Sequence, residues 1–157
     1  MWQGPCIGNC EKKMSYTHEL KWYKHEPDSV MENDKCKILW DFTIQTDRII
    51  QARRPDIVLV NKQERTCQQI DVACPADRKV VEKEEEKIEK YRDLAREVAK
   101  LWNVRVKIIP VVIGALGTIP NDLEERINEP GISLKTAQIQ MLVLLGTARI
   151  LRKVLEI

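Results

Sequence analysis

The chain has 157 residues, 43% of them hydrophobic and 32% charged, enough for one domain of ordinary size with a sizeable core. Its 26 Lys and Arg against 24 Asp and Glu leave a net charge of +2, which excludes the strong positive field that binds any polyanion indiscriminately. No run approaches the roughly 20 apolar residues of a membrane span, and Met1-Trp2-Gln3-Gly4-Pro5-Cys6 lacks the basic-then-apolar pattern of a secretory leader, so a nuclear or cytoplasmic, non-secreted protein with five reduced cysteines is expected.

Residues 1–37 are polar and dotted with aromatics without periodicity, and Asp28 to Asp34 reads as an exposed connector. Lys37 to Asp47 is rich in β-branched and aromatic residues and alternates from Trp40, which predicts a strand ending at Asp47. Arg54 to Val60 and Thr66 to Cys74 give two more strands, and short polar connections make the three an antiparallel meander. From Lys79 to Trp102 there is no Gly or Pro, and apolar residues recur at three and four, predicting an amphipathic helix with Asp77 as its N-cap. Val104 to Ile113 is a buried strand following that helix as a crossover would. A short helix near Asn121–Asn128 and a long apolar one over Ser133–Leu155 complete the chain. The organisation is thus a lead-in (1–37), an α/β core (38–113) and a helical extension (114–157) packed on that core, with a homodimer contact as the alternative use of the last helix.

Asp47, Asp56 and Asp71 fall where neighbouring strands gather them, and clustered carboxylates repel unless a cation joins them. Asp71 stands between Ile70 and Val72, where an unpaired charge costs several kcal/mol, about the penalty for one buried ion, so something must compensate it. Placing helix residues at steps of about 100° from Tyr91 puts Val80 and Val98 at about −20°, Glu84 at about 20° and Lys87 at about −40°, inside the apolar stripe, with Lys90 at about −100° on its flank. A buried ammonium needs a partner, and Asp71 is the candidate. Snorkelling at the sheet rim is the alternative.

Arg54-Pro55-Asp56, fourteen intervening residues, Asp71 in an apolar strand, then helical Glu84, Lys87, Lys90 and Tyr91 resemble the PD-(D/E)XK nuclease superfamily. The closer resemblance is to the restriction-enzyme-like endonuclease domain of non-LTR retrotransposon polyproteins. It covers about half the chain, Ile38 to Ile113. It implies a mixed sheet with a β-β-β-α-β core and C-terminal helices, and a Mg²⁺- or Mn²⁺-dependent endonuclease that nicks target DNA, acting as a monomer or homodimer away from any membrane. Asp56 and Asp71 would hold the metal with the Val72 carbonyl, joined by Glu84 and Asp47. Lys87 and Lys90 would serve the reaction, while Arg48, Arg53 and Arg54 would contact phosphates.

One departure matters. The common motif has a lysine two residues after the strand carboxylate, where this chain has Ala73; in the retrotransposon branch that role has moved to the following helix, where Lys87 and Lys90 stand. Without a lysine at the metal, the alternative is a DNA-binding or interaction remnant of the same fold. A junction-resolving enzyme of the superfamily would require a symmetric dimer. Upstream, Cys6, Cys10, His18 and His25 suit a structural Zn²⁺, and the knuckle common before such nucleases makes Cys36 an alternative fourth ligand. Free thiols and solvent-facing imidazoles are the plainer reading.

Overall fold

The computed structural model describes residues 28–128 and 135–155. Five strands, β1 (Val30–Glu32), β2 (Cys36–Trp40), β3 (Ile57–Asn61), β4 (Thr66–Ala73) and β5 (Arg105–Val112), form one sheet in the order β1-β2-β3-β4-β5. Three α-helices follow the meander: α1 (Val80–Trp102) before β5, then α2 (Leu123–Asn128) and α3 (Thr136–Leu155). The first four strands are antiparallel neighbours, with Val30 opposite Leu39, Leu39 opposite Val58 and Val58 opposite Gln69. Arg105 N–H donates to Arg65 C=O and Ile113 N–H to Ala73 C=O, an offset of the same sign at both ends that makes β5 parallel to β4. The sheet is therefore mixed and α1 is the crossover.

Two details correct the sequence reading. The connector expected at 28–34 contains β1, a three-residue strand too short to show a period. It turns into β2 because Asn33 Oδ1 accepts from both Lys35 N–H (2.9 Å) and Cys36 N–H (2.7 Å). In addition, β2 stops at Trp40, not at Asp47. Asp41 adopts a left-handed φ of 45° and the chain leaves the ladder there, a conformation an aspartate tolerates better than a β-branched residue.

The described chain divides into two compact units, one of 28–70 with 91–108 and the other of 71–90 with 109–128 and 135–155. In the first, Leu39, Ile44, Val58, Val60 and Cys67 pack with Tyr91, Leu94 and Val98 of α1, while Cys36 and Ile38, with Met31, Trp40, Ile57 and Leu59, cluster on the opposite sheet face. Asn103, at φ 51°, ends α1, and Val104 N–H reaches back to Ala99 C=O (3.3 Å), the closure expected of a helix ending in a left-handed residue. In the second unit Val80, Ile109, Val111, Val112, Ile113, Leu123 and Ile127 are buried. Asp77, expected as N-cap, lies within a 3₁₀ turn (Asp77–Lys79) whose cap position is Ala76. Its carboxylate accepts from Leu116 N–H (2.8 Å) and from the Thr118 hydroxyl, fastening the loop that follows β5. A Cβ on Gly114 would collide with that carboxylate.

The last helix departs most from expectation. None of the described α3 residues is buried, and Met141, Leu145, Ile150 and Val154 are each more than 60% exposed. Its polar anchors reach the 115–117 loop, Thr147 Oγ1 to Ala115 C=O (2.8 Å) and Gln140 Nε2 to Gly117 C=O (2.7 Å). Ile139 and Val143 beside these anchors are half-buried, while the other apolar residues of the helix are exposed.

Leu94→Ala, at a fully buried position, is expected to cost about 2–5 kcal/mol in urea unfolding, whereas Leu145→Ala on α3 stays within about 0.5 kcal/mol. The two bonds from Thr118 and Leu116 hold Asp77 below its ordinary pKa of 3.8. Its folded pKa being depressed, its contribution is present above that value and is lost as pH falls through the lowered one. Melting curves of Asp77→Ala should therefore fall short of wild type at about pH 7 and converge with it towards about pH 2; a shortfall that widens in acid would contradict this.

Candidate functional site

Asp71 lies in β4 with the parity of Cys67 and Gln69, which places it on the sheet face that α1 covers. Its side chain is 3% exposed, and Lys87 of α1, 13% exposed, forms an ion pair with its Oδ2. The compensating cation that the strand pattern demands is thus the lysine that the helical stripe places inside the core. Lys90, three residues on, is exposed, so the two lysines are not equivalent. Ala73, where the common motif has a lysine, lines a hollow of about 370 Å³ with Lys79, Glu82, Lys83 and Glu86. Lys83 gives Glu86 two bonds of 2.7 Å and thereby holds that carboxyl below its usual range.

Asp56 follows Pro55, which is fully buried, and is itself half-buried one residue before β3. The segment that carries it is held from two directions. Asp41 N–H donates to Asp56 C=O (2.8 Å), and the Tyr91 hydroxyl, on a ring 1% exposed, donates to Arg54 C=O (3.1 Å). Arg54 itself turns back on Asp41, with Nε to Oδ1 and Nη2 to Oδ2 both 2.6 Å, a bidentate pair that raises its guanidinium pKa above the ordinary value.

The other expected site residues have settings of their own. Asp47 is exposed in a bend beyond β2, since the ladder that was to carry it stops at Trp40. Glu84 is inside the stripe as its helical angle requires, but its carboxylate is taken by Arg126 of α2 (Nη2 to Oε1, 2.5 Å), whose guanidinium also reaches Asp122 (3.1 Å) and Pro110 C=O (3.3 Å). Of the three arginines, Arg54 is bound to Asp41 and Arg48 lies 3.8 Å from the buried carboxylate of Glu97. Arg53 is half-buried and accepts at its backbone carbonyl from Ile44 N–H (2.9 Å). Among the described residues no group of three or more His, Cys, Asp and Glu is placed to hold a metal ion.

Cys6, Cys10, His18 and His25 lie outside the described residues. Cys36, the alternative zinc ligand, is 5% exposed in the apolar cluster of the far sheet face, a core thiol. Burial pushes the Cys67 thiol up to about 12, so it stays protonated and inert.

Sequence reasoning missed two participants. Arg126, the partner of Glu84, sits in a short helix with no pattern to mark it. Gln69 is fully buried, and its amide nitrogen and oxygen have no hydrogen-bond partner among the described residues. The available signal was its position two residues before Asp71, hence on the same face. Comparison with protein-family models and with curated proteins finds no match for this chain.

Removing one member of a buried pair leaves the other uncompensated. Lys87→Met is expected to cost about 3–5 kcal/mol in chemical denaturation, and Lys90→Met less than about 0.5 kcal/mol; equal effects would show that Lys87 has no special partner.

Proposed function

We propose that the chain is a divalent-metal-dependent DNA endonuclease of the PD-(D/E)XK type, similar to the domain found in non-LTR retrotransposon polyproteins. The observation that carries this reading is the buried Lys87–Asp71 pair: it links the strand acid and the helical lysine that the family resemblance singles out separately. Carboxylate oxygens are the donors that Mg²⁺ and Mn²⁺ prefer, with water and phosphate oxygens completing the shell. Asp56 and Asp71 would hold such an ion. When bound, it supplies Lewis acidity to the scissile phosphate and lowers the pKa of a coordinated water.

The chain's own residues divide the remaining work. Lys87, already held against Asp71, orients the attacking water and offsets the negative charge that builds on the phosphate. Tyr91 and Asp41 fix the backbone that carries Asp56, so this carboxylate is positioned before substrate arrives. Arg53 contacts the DNA backbone, a role that sets register without reading bases. Among the described residues no helix is long and apolar enough to cross a membrane.

A second reading, a DNA-binding remnant without turnover, is favoured by the engagement of Arg54 with Asp41 and of Glu84 with Arg126, which removes two groups the reaction was expected to use. Nicking of supercoiled plasmid separates the two. The endonuclease reading expects nicking with Mg²⁺ or Mn²⁺, none with EDTA, and a reduction of about 100-fold or more in Asp56→Asn and Asp71→Asn, both near-isosteric. Lys90→Met should stay within about threefold. Nicking that survives Asp71→Asn would overturn the site, and DNA binding with no nicking under any cation would establish the remnant.

A further inference from the structure

At the end of β3 away from Asp56, the first unit contains a hollow of about 350 Å³ lined by Lys37, Val60, Lys62, Arg65, Trp102, Asn103 and Val104. Its size is within the range of small-ligand sites, about 300–1,000 Å³. Three elements build it: β2 supplies Lys37, the β3–β4 turn supplies Lys62 and Arg65, and the C-terminus of α1 supplies Trp102 and Asn103. The turn is held by Asn61 Oδ1, which accepts from Gln63 and Glu64 N–H (3.0 Å each), and Arg65 closes it at a φ of 51°. The opposite wall is fixed because Trp102 packs against the core cluster and Asn103 terminates the helix.

The charge of this hollow is one-sided. Glu32 partners Lys62 (2.6 Å) and lies 3.7 Å from Lys37, and the end of α1 contributes roughly half a negative charge. Three cations outweigh both. Cations gathered beside one indole are the combination that grips a nucleotide, with phosphate oxygens on the ammonium and guanidinium groups and a base on the ring face. An apolar ligand would leave these charges desolvated, and a bare anion would make no use of the indole.

We propose that this hollow is a nucleotide-binding site that takes one phosphate and its base from a single-stranded nucleic acid, without sequence preference. It is independent of hydrolysis at Asp56 and Asp71 and stands whether or not the chain cleaves DNA. Free nucleotides share the chemistry, so the test separates the two sources.

The experiment is fluorescence anisotropy of a labelled oligothymidylate of about 12 nucleotides with the full chain, in EDTA to silence cleavage. Lys62→Gln/Arg65→Gln, at exposed positions that leave the core intact, is expected to weaken binding about tenfold. It should also make the log–log salt slope shallower by about 0.7, the contribution of the one single-strand phosphate that these cations neutralise. Trp102→Phe should bind within about threefold of wild type and Trp102→Ala at least about fivefold more weakly. The double variant keeps the test decisive if Trp102→Ala fails to fold. AMP competing with the oligonucleotide, where inorganic phosphate does not, would place free nucleotides among the ligands; competition by unlabelled oligothymidylate alone would restrict the site to strands. Unchanged affinity and salt slope in the double variant, or displacement by inorganic phosphate as readily as by AMP, would overturn the proposal. Loss of nicking in the Asp56 and Asp71 variants bears on the other reading and leaves this one untouched.

Discussion

A carboxylate in the middle of an apolar strand is an expensive object, and the second unit is organised around neutralising it. Asp71 is almost without solvent, and the answering charge comes from a helix that otherwise turns an apolar stripe towards the sheet. Burying the two together gains little over a well-packed apolar pair of the same volume, whereas burying either alone is strongly unfavourable. Such a pair is a poor device for stability, and its cost falls on whichever partner loses the other. The same economy recurs where Arg126 meets Glu84, but there the cation also bonds Asp122 and the Pro110 carbonyl, and its guanidinium ties α2 to α1 and β5. One pair holds a candidate reactive group; the other holds elements together.

The Arg-Pro-Asp segment shows how a loop becomes precise enough to present a side chain. Pro55 is buried, the Tyr91 hydroxyl bonds the carbonyl before it, and Asp41 bonds the carbonyl after it. Arg54, which the motif suggests as a phosphate contact, instead anchors Asp41 in its left-handed turn through a bidentate pair. The arginine then acts on Asp56 only indirectly, through the backbone that carries it.

Much of the fold was legible because its signals are periodic. The meander of β2, β3 and β4, the long α1 and the crossover to β5 follow from alternation and from a Gly- and Pro-free amphipathic run, with most ends within a few residues of those observed. The angular position of Lys87 foretold its pairing with Asp71, and that of Glu84 foretold burial but not the partner, since Arg126 is 42 residues away in sequence. What failed to show was short or local. β1 has three residues, too few for a period, and the end of β2 is set by one left-handed aspartate that no pattern announces. Asp47 was misplaced for that reason alone. The apolar composition of α3 argued for burial, yet composition does not say which face finds a neighbour, and here one narrow face, with Ile139, Gln140, Val143 and Thr147, is half-buried while the rest is exposed.

The borders of the sheet have a bearing on how the molecule behaves when crowded. Among the described residues β1 and β5 are the outermost strands. β1 is only three residues long and carries Glu32, tied to Lys37 and Lys62, and β5 carries Lys107 and, at Pro110, a residue with no backbone N–H to offer. A neighbouring chain seeking to extend the sheet would meet a stub bearing ionic side chains at one margin and a missing donor at the other. Strand-by-strand growth into fibrils is thereby discouraged at both margins, even with so much apolar surface on α3.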